Sequence, residues 1–331
     1  MSTVEEKLDA LPRLRLCQLP TPIARARRAE RELGLVAGPE IWIKRDDLTG
    51  LAFGGNKGRK LEFCLAEAQG QGCDVVLTRG GIQSNHCRQT AVAAAALGME
   101  AHLFLKGHSP EKLTGNLIPS ALAGAHLHFV GPGAPAGRYQ EAFAKYLADE
   151  GHRPYSIPSG AATVVGSMGY VQAVREIVED QRRLGFEFDW VVHATGSSGT
   201  QAGLLAGRDL FGCPWKVLGV KVSPAAEDLD ASREGLARYA NRVAQQLGGQ
   251  GRTTPEDVLL DGGYVGAGYG AHTEGTARAV SLFARNEGIF LDHCYTAKAM
   301  DGLLDYVAKG RFGPDQKLLF VHTGGNLELF A

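Results

Sequence analysis

The chain has 331 residues, and 44% of them are hydrophobic, so it can bury a large core, which we expect to be divided between two lobes. Its 35 Lys and Arg residues nearly balance 36 Asp and Glu residues, and the net charge of -1 excludes a general attraction to nucleic acids or anionic membranes. No apolar run is long enough to span a membrane, and the charged N-terminus lacks the apolar segment of a signal peptide. We therefore expect a cytoplasmic protein that binds neither nucleic acid nor membrane.

Short apolar segments rich in β-branched residues alternate with alanine-rich segments, which is the pattern of a parallel α/β fold. The predicted strands are 41–44, 74–78, 101–105, 126–130, 190–194, 217–222 and 318–322. The predicted helices are 85–97, 137–148, 170–184 and 201–210. The glycine- and proline-rich segment 131–137 predicts a surface loop.

Three glycine-rich segments follow predicted strands directly, at residues 79–86, 195–200 and 323–326. Ligands of open α/β sheets gather beyond the carboxyl ends of the strands. The sequence therefore predicts a binding site that these three loops share.

The cysteines are scattered along the chain and form no CxxC pair. They are Cys17, Cys64, Cys73, Cys87, Cys213 and Cys294. This spacing predicts neither a disulfide framework nor a structural zinc site, and no metal is expected.

Lys57 stands in the glycine-rich segment 54–62. Glycines allow a ligand to approach the backbone closely, and partial desolvation beside the cations Arg59 and Lys60 would lower the pKa of the Lys57 amine. Such an amine can form a Schiff base with a carbonyl, as in enzymes that bind pyridoxal phosphate. The alternative is a solvated lysine in a glycine turn. A nucleotide P-loop is excluded, because Gly58 stands where Ser or Thr must bind magnesium.

The loop 195–200 has the composition of an anion-binding site. Glycine backbone N–H groups, hydroxyl groups and the positive end of the following helix would all favour a phosphate. Its members are Thr195, Gly196, Ser197, Ser198, Gly199 and Thr200. The alternative is an ordinary helix cap with turn glycines, and the spacing does not fit a dinucleotide-binding fingerprint.

Two further groups are candidates for substrate contacts. Ser84, Asn85 and His86 begin a predicted helix, whose N–H groups could hold a carboxylate, although Ser84 could simply cap the helix and His86 could be structural. Tyr269 and Tyr295 lie in tight local contexts and could stack on a ring, or transfer a proton if their pKa is lowered. Most tyrosines only pack.

The order of these signals resembles the fold-type II pyridoxal phosphate enzymes, in the branch of D-cysteine desulfhydrase and 1-aminocyclopropane-1-carboxylate (ACC) deaminase. Matching segments include 20–22, 44–47, 114–116, 166–170 and 297–300. The resemblance implies two open, twisted, mostly parallel sheets flanked by helices. It also implies a larger domain built from residues 1–52 and 159–331, a smaller domain of residues 53–158, and a homodimer.

The resemblance also implies roles for individual residues in binding pyridoxal phosphate and a small amino-acid substrate. Lys57 matches the Schiff-base lysine, and the loop 195–200 matches the phosphate-binding loop. The ring of the cofactor is expected to contact Asn85, Tyr295, Thr296 and Thr323. The substrate is expected to contact Ser84, Asn85, His86 and Tyr269, and catalysis is expected to use Lys57, Ser84, Tyr269 and Tyr295.

Three positions distinguish the two activities within this branch. By the resemblance, ACC deaminases carry Glu at Thr296, Leu at Thr323 and Gln at His86, so this chain is similar to the desulfhydrases. A neutral threonine at the ring nitrogen makes a weaker electron sink than a carboxylate, which suits a good leaving group on the β-carbon. Gly58, Phe53 and His293 depart from the family pattern and are expected near the pocket. There His293 could favour an anionic leaving group, or be a surface histidine.

We therefore expect α,β-elimination from a β-substituted alanine, with D-cysteine converted to pyruvate, ammonia and hydrogen sulfide. The second hypothesis is release of sulfite from L-cysteate, and the third is ACC deamination. A hypothesis of another class is a non-catalytic protein that binds pyridoxal phosphate or a phosphorylated metabolite.

Overall fold

A computed structural model describes residues 2–224 and 229–331 of the chain. The strands, in chain order, are β1 (Ile23–Arg25), β2 (Glu40–Lys44), β3 (Val75–Gly81), β4 (Glu100–Lys106), β5 (His126–Val130), β6 (Pro154–Ser156), β7 (Trp190–Thr195), β8 (Lys216–Lys221), β9 (Leu259–Asp261) and β10 (Lys317–Val321). The helices are α1 (Val4–Asp9), α2 (Arg27–Glu32), α3 (Asn56–Gly70), α4 (Asn85–Ala96), α5 (Leu117–Leu122), α6 (Ala136–Asp149), α7 (Val164–Leu184), α8 (Gly199–Phe211), α9 (Leu229–Gln246), α10 (Glu274–Glu287) and α11 (Thr296–Ala308).

The strands form two sheets. The larger has the order β1-β2-β10-β7-β8-β9 and the smaller the order β5-β4-β3-β6. Only the pairing of β1 with β2 is antiparallel among the pairings of the described strands. The prediction of an α/β fold with two mostly parallel sheets is confirmed. All strands of the smaller sheet lie between residues 75 and 156, while the exact domain boundaries stay a prediction.

Apolar clusters cover both faces of the larger sheet. One cluster joins the sheet to α7, α8 and α9, with Trp215 and Tyr170 fully buried in it. The other joins the opposite face to α2, α10 and α11. Burial on both faces explains why the central strands β7 and β10 are apolar along most of their length. No helix within the described ranges is both long and apolar enough to cross a bilayer.

Helix α7 begins six residues before the predicted start at residue 170. The Thr163 hydroxyl caps it by accepting a hydrogen bond from the Gly166 N–H group. Glycines 166 and 169 weaken the helical signal in the sequence, but they permit close packing. A Cβ atom at Gly169 would lie 2.3 Å from the Arg59 carbonyl oxygen of α3. The glycine therefore lets α3, which carries Lys57, pack closely against α7.

Candidate active site

A cleft of about 580 Å³ opens between the sheets, where β3, β7 and β10 end. It brings together most of the predicted site residues. These are Lys57, Ser84, Asn85, Thr195, Gly196, Ser197, Ser198, Thr200, Tyr269, Tyr295 and Thr323. A larger groove of about 1140 Å³ runs along α10 and α11, but none of the predicted site residues lines it. The cleft is therefore the candidate active site.

Lys57 lies in the first turn of α3 and is half-buried. Burial lowers the pKa of its amine to about 8. A Cβ atom built at Gly160, whose φ is +69°, would lie 2.1 Å from Ser197 Oγ and 3.2 Å from Lys57 Nζ. The amine is thus held beside the loop 195–200, and only a glycine fits between them. The alternative interpretation, a solvated lysine in a glycine turn, does not fit this placement.

The cations next to Lys57 in the sequence act differently from the prediction. The Arg59 guanidinium is fully buried and pairs with Asp46 (2.8 Å) and Glu176 (2.8 Å), on the side of α3 that packs against α7. Lys57 owes its low pKa to burial rather than to this neighbour.

Lys60 lies behind the cleft wall, a position that the sequence did not predict. Its side chain is fully buried and Nζ donates to the Gly160 carbonyl oxygen at 3.2 Å. A Cβ atom at Gly199 would lie 2.9 Å from the same Nζ. Burial, and then the charge of Lys57, hold the pKa of Lys60 well below its usual range. Lys60 follows Lys57 by three positions in α3, and this helical spacing was the available signal.

The loop 195–200 joins the end of β7 to the start of α8. Ser198 has a left-handed backbone (φ 65°), and the Gly199 N–H donates to the Ser197 carbonyl oxygen at 2.8 Å. Asn56 Nδ2 donates to Thr200 Oγ1 at 3.0 Å, which ties α3 directly to this loop. Among the described residues that line the cleft, none is Asp or Glu. Hydroxyl groups and helix-start N–H groups, in a cleft whose described lining has no carboxylate, therefore fit a phosphate.

The start of α4 forms the opposite wall of the cleft. The Ser84 side chain caps the helix by accepting from the Cys87 N–H at 3.3 Å, yet Ser84 also lines the cleft. Asn85 Oδ1 accepts from Arg88 Nη1 at 3.3 Å, which orients the amide group. Both the capping role and a place at the site are therefore real for Ser84.

Two more cations line the cleft and were not predicted. Arg79 lies at the end of β3, where its Nη1 donates to Gln140 Oε1 at 2.7 Å. Lys106 lies at the end of the neighbouring strand β4 and is exposed. They add positive charge on the side of the cleft formed by the smaller sheet.

Tyr269 and Tyr295 meet at the cleft through a hydrogen bond between their hydroxyl groups. Their rings pack edge to face with centroids 5.7 Å apart. Burial of the hydroxyls raises both pKa values well above the usual range, although part of the Tyr269 ring is exposed. The condition for proton transfer, a lowered pKa, is therefore not met. Both hydroxyls stay protonated, which suits them to donate hydrogen bonds.

Three predicted site residues lie behind the cleft wall. His86 is buried, and its Nε2 is 2.7 Å from Thr78 Oγ1, while burial holds its pKa well below the usual range. Thr296 is fully buried and its hydroxyl donates to Asp292 Oδ1 at 2.6 Å, and the same oxygen accepts from the Thr296 N–H at 2.9 Å. Gly199 packs against Lys60 instead of lining the cleft. The structure thus does not bring the hydroxyl of Thr296 to the cleft, whereas Thr323 does line it.

Two of the residues that depart from the family pattern also lie elsewhere. Phe53 is 65% exposed and does not line the cleft. The His293 ring stacks on His272 with centroids 3.9 Å apart, and its Nδ1 is 3.1 Å from Thr276 Oγ1. Their positions give them no direct contact with a substrate in the cleft.

Known proteins resemble this chain over nearly its whole length. The sequence profile of the family described as "Pyridoxal-phosphate dependent enzyme" matches residues 14–324. D-cysteine desulfhydrase of Yersinia enterocolitica is 39% identical over 334 residues, which cover 99% of this chain and 98% of that protein. The 1-aminocyclopropane-1-carboxylate deaminase of Burkholderia vietnamiensis is 37% identical over 327 residues, which cover 96% and 95%. A crystal structure of an ACC deaminase homologue gives a TM-score of 0.89 at 36% identity, with 100% of this chain and 97% of that one covered.

Two mostly parallel sheets with a lysine in the cleft between them are the architecture of a fold-type II enzyme, and the comparisons give the same class. The chain belongs to the pyridoxal-phosphate dependent enzyme family, in the branch of D-cysteine desulfhydrase and ACC deaminase, and it is a pyridoxal-phosphate-dependent lyase. The residues of the cleft fit this cofactor, because Lys57 can hold its aldehyde while the hydroxyl and N–H groups of the loop 195–200 can receive its phosphate.

Proposed function

We propose that this enzyme catalyses α,β-elimination from a β-substituted alanine, with D-cysteine and water giving pyruvate, ammonia and hydrogen sulfide. The observation that carries the proposal is the half-buried Lys57 amine, held beside the loop 195–200 and across from the start of α4. Bound in this cleft, pyridoxal phosphate supplies an aldehyde for attachment to amines and an electron sink.

The residues of the cleft divide the work as follows. Lys57 holds the cofactor at rest, and its amine, with a pKa of about 8, then removes the α-proton of the substrate. The N–H groups at the start of α4, with Ser84, hold the substrate carboxylate. Asn85 orients the ring through its amide. The hydroxyl pair of Tyr269 and Tyr295, which stays protonated, donates a hydrogen bond to the departing sulfur.

Arg79 and Lys106 support a second candidate, the release of sulfite from L-cysteate. A sulfonate on the β-carbon would bring a second anion into the cleft, and these two cations line the side formed by the smaller sheet. Charge-assisted hydrogen bonds of this kind contribute about 1.5–3 kcal/mol each. D-cysteine carries no such group, so it would gain nothing from them.

A substrate panel tests both candidates. Pyruvate is measured from D-cysteine, L-cysteine, L-cysteate and β-chloroalanine, and ketobutyrate is measured from ACC. The proposal expects D-cysteine to be the best substrate and the Lys57→Ala variant to lose both turnover and the visible absorbance of the bound cofactor. If L-cysteate is preferred, Arg79→Gln should lower its kcat/KM by about 10- to 100-fold and leave D-cysteine nearly unchanged.

Three outcomes of the panel would contradict the proposal. Turnover by colourless protein without added cofactor would end the proposal. Ketobutyrate from ACC at a comparable rate would instead assign the deaminase activity. Cofactor absorbance without turnover of any β-substituted alanine would assign a non-catalytic binding protein.

A further inference from the structure

The smaller sheet carries a cluster of histidines at the end of its strands far from the cleft. Glu100 and His102 are two residues apart on β4, and His126 and His128 are two residues apart on β5. Side chains two residues apart point to the same face of a strand, so all four lie on one face of the sheet. The register of these parallel strands places His102 beside His126. Lys106, which lines the cleft, stands six residues beyond Glu100 on β4, a distance of roughly 20 Å along a strand.

Three atoms of this cluster converge. Glu100 Oε1 is 2.8 Å from His102 Nε2 and 3.1 Å from His126 Nε2. All three ligand atoms lie within 4.8 Å of one another. A tetrahedral Zn²⁺ ion holds N and O ligands at about 2.0–2.2 Å, which places the ligand atoms roughly 3.3 Å apart. The two distances from Glu100 Oε1 to the histidine nitrogens would therefore need to grow by only a few tenths of an ångström to admit an ion.

A second layer holds the buried member of the cluster in place. His102 Nδ1 is 2.9 Å from His128 Nε2, and the Phe143 ring of α6 packs 4.8 Å from the His102 ring. Histidine ligands of metals ordinarily use their other ring nitrogen in such a bond, which fixes the ring and the tautomer.

The other two members face solvent. The side chains of Glu100 and His126 are 41% and 55% exposed, whereas that of His102 is 5% exposed. The His102 and His126 rings are nearly parallel, at 12°, so one ring must turn before both lone pairs point to one ion. His126 is the exposed ring on the edge strand and can turn. Water would complete the coordination on the open side.

We propose that Glu100, His102 and His126 form a binding site for a divalent transition-metal ion of the Zn²⁺ class, which clamps the edge strand β5 to β4. Imidazole and carboxylate ligands suit Zn²⁺, Ni²⁺ and Cu²⁺ rather than Mg²⁺ or Ca²⁺. The ion has a structural role, because the catalytic cleft lies at the other end of the same strands.

The test is titration of the cofactor-loaded enzyme with Zn²⁺ alone, followed by calorimetry and by elemental analysis after dialysis. We expect one ion per chain and a rise in the melting temperature. The variants His126→Ala and Glu100→Gln should lose this binding, and both change exposed side chains that the fold does not require. The second-layer variant His128→Phe should weaken affinity about 10- to 100-fold. His108→Ala, which changes an exposed histidine outside the cluster, should bind as the unaltered enzyme does.

The turnover of the amino-acid substrate should be the same in all of these variants, which separates this proposal from the one on function. Zn²⁺ binding that persists unchanged in the double variant Glu100→Gln/His126→Ala would place the ion elsewhere, for instance on a cysteine, and would overturn the proposal. Absence of Zn²⁺ binding to the unaltered enzyme would overturn it as well, and would leave the cluster as a hydrogen-bonded group of side chains.

Discussion

The chemistry of the cleft depends on the protonation of one side chain, Lys57. Its pKa is lowered to about 8 by burial, so a neutral amine is abundant near physiological pH. In enzyme stripped of cofactor, the rate of rebinding pyridoxal phosphate should rise about tenfold for each pH unit below 8 and level off above it, because only the neutral amine attacks the aldehyde. The return of visible absorbance after mixing measures this rate.

Butylamine is a suitable reference for this experiment, since its amine is fully solvated. Its reaction with pyridoxal phosphate should continue to accelerate up to about pH 10, the ordinary pKa of a lysine amine. If the enzyme follows the same course as butylamine, the amine of Lys57 is not desolvated in the stripped protein and its predicted role as an activated nucleophile is wrong.

At the level of single residues, a place at the cleft could be predicted for those side chains whose position follows from the adjacent elements. Ser84 follows a strand and begins a helix, so its place at the cleft follows from two adjacent elements. His86 and Thr296 are helix residues next to such positions, and the helical rotation turns them into the protein. The space at Gly58 is filled by Cys17, whose Sγ would lie 2.4 Å from a Cβ atom there, and no local pattern announces that contact.

At the level of elements, the position of α3 depends on a buried ion cluster. Arg59 donates to both Asp46 oxygens at 2.8–2.9 Å and to both Glu176 oxygens at 2.8–2.9 Å, and Tyr170 donates to Asp46 at 2.6 Å. Arg59→Met would leave Asp46 buried without its cation and Glu176 paired with Lys44 alone (3.3 Å), so it should lower the free energy of unfolding by about 3–5 kcal/mol. Urea unfolding of the cofactor-loaded enzyme measures the difference.

Arg238→Met is the matched control, because Arg238 pairs with Glu234 on the surface of α9 and is 72% exposed. It should change stability by less than about 1 kcal/mol.

The pH dependence of the unfolding free energy provides a second test of the ion cluster. Burial alone would raise the pKa of Asp46, but Arg59 and Tyr170 hold it below its usual value. The stability that this carboxylate contributes is therefore present above its usual pKa and is lost as the pH falls below it. The difference in unfolding free energy between the unaltered enzyme and Arg59→Met should then shrink. Equal losses in both variants at neutral pH would contradict the assignment.

The fold itself was readable because parallel strands buried on both faces are apolar runs separated by helices. The predicted strand at 126–130 coincides with β5, and the helix at 85–97 differs from α4 by one residue. The strands that were missed are the three-residue strands β1, β6 and β9, which are too short to show a period. The histidine cluster could not be predicted from the sequence for another reason. Its side chains come together only through the register of β4 and β5, and the spacing of the cysteines, on which the expectation of no metal rested, carries no information about it.

At the level of the whole molecule, the cofactor would link the two sheets, with Lys57 on one side and the loop 195–200 on the other. A ligand that binds only the folded cleft stabilises the protein by about 2.7 kcal/mol at 100 times its dissociation constant. For a protein of this size, that corresponds to a rise in melting temperature of roughly 5 °C. Pyridoxal lacks the phosphate, so it should raise the melting temperature much less than pyridoxal phosphate does. Gly160→Val should abolish the difference, because its side chain would occupy the space between Ser197 and Lys57. An equal shift with both compounds would mean that the loop 195–200 does not receive the phosphate.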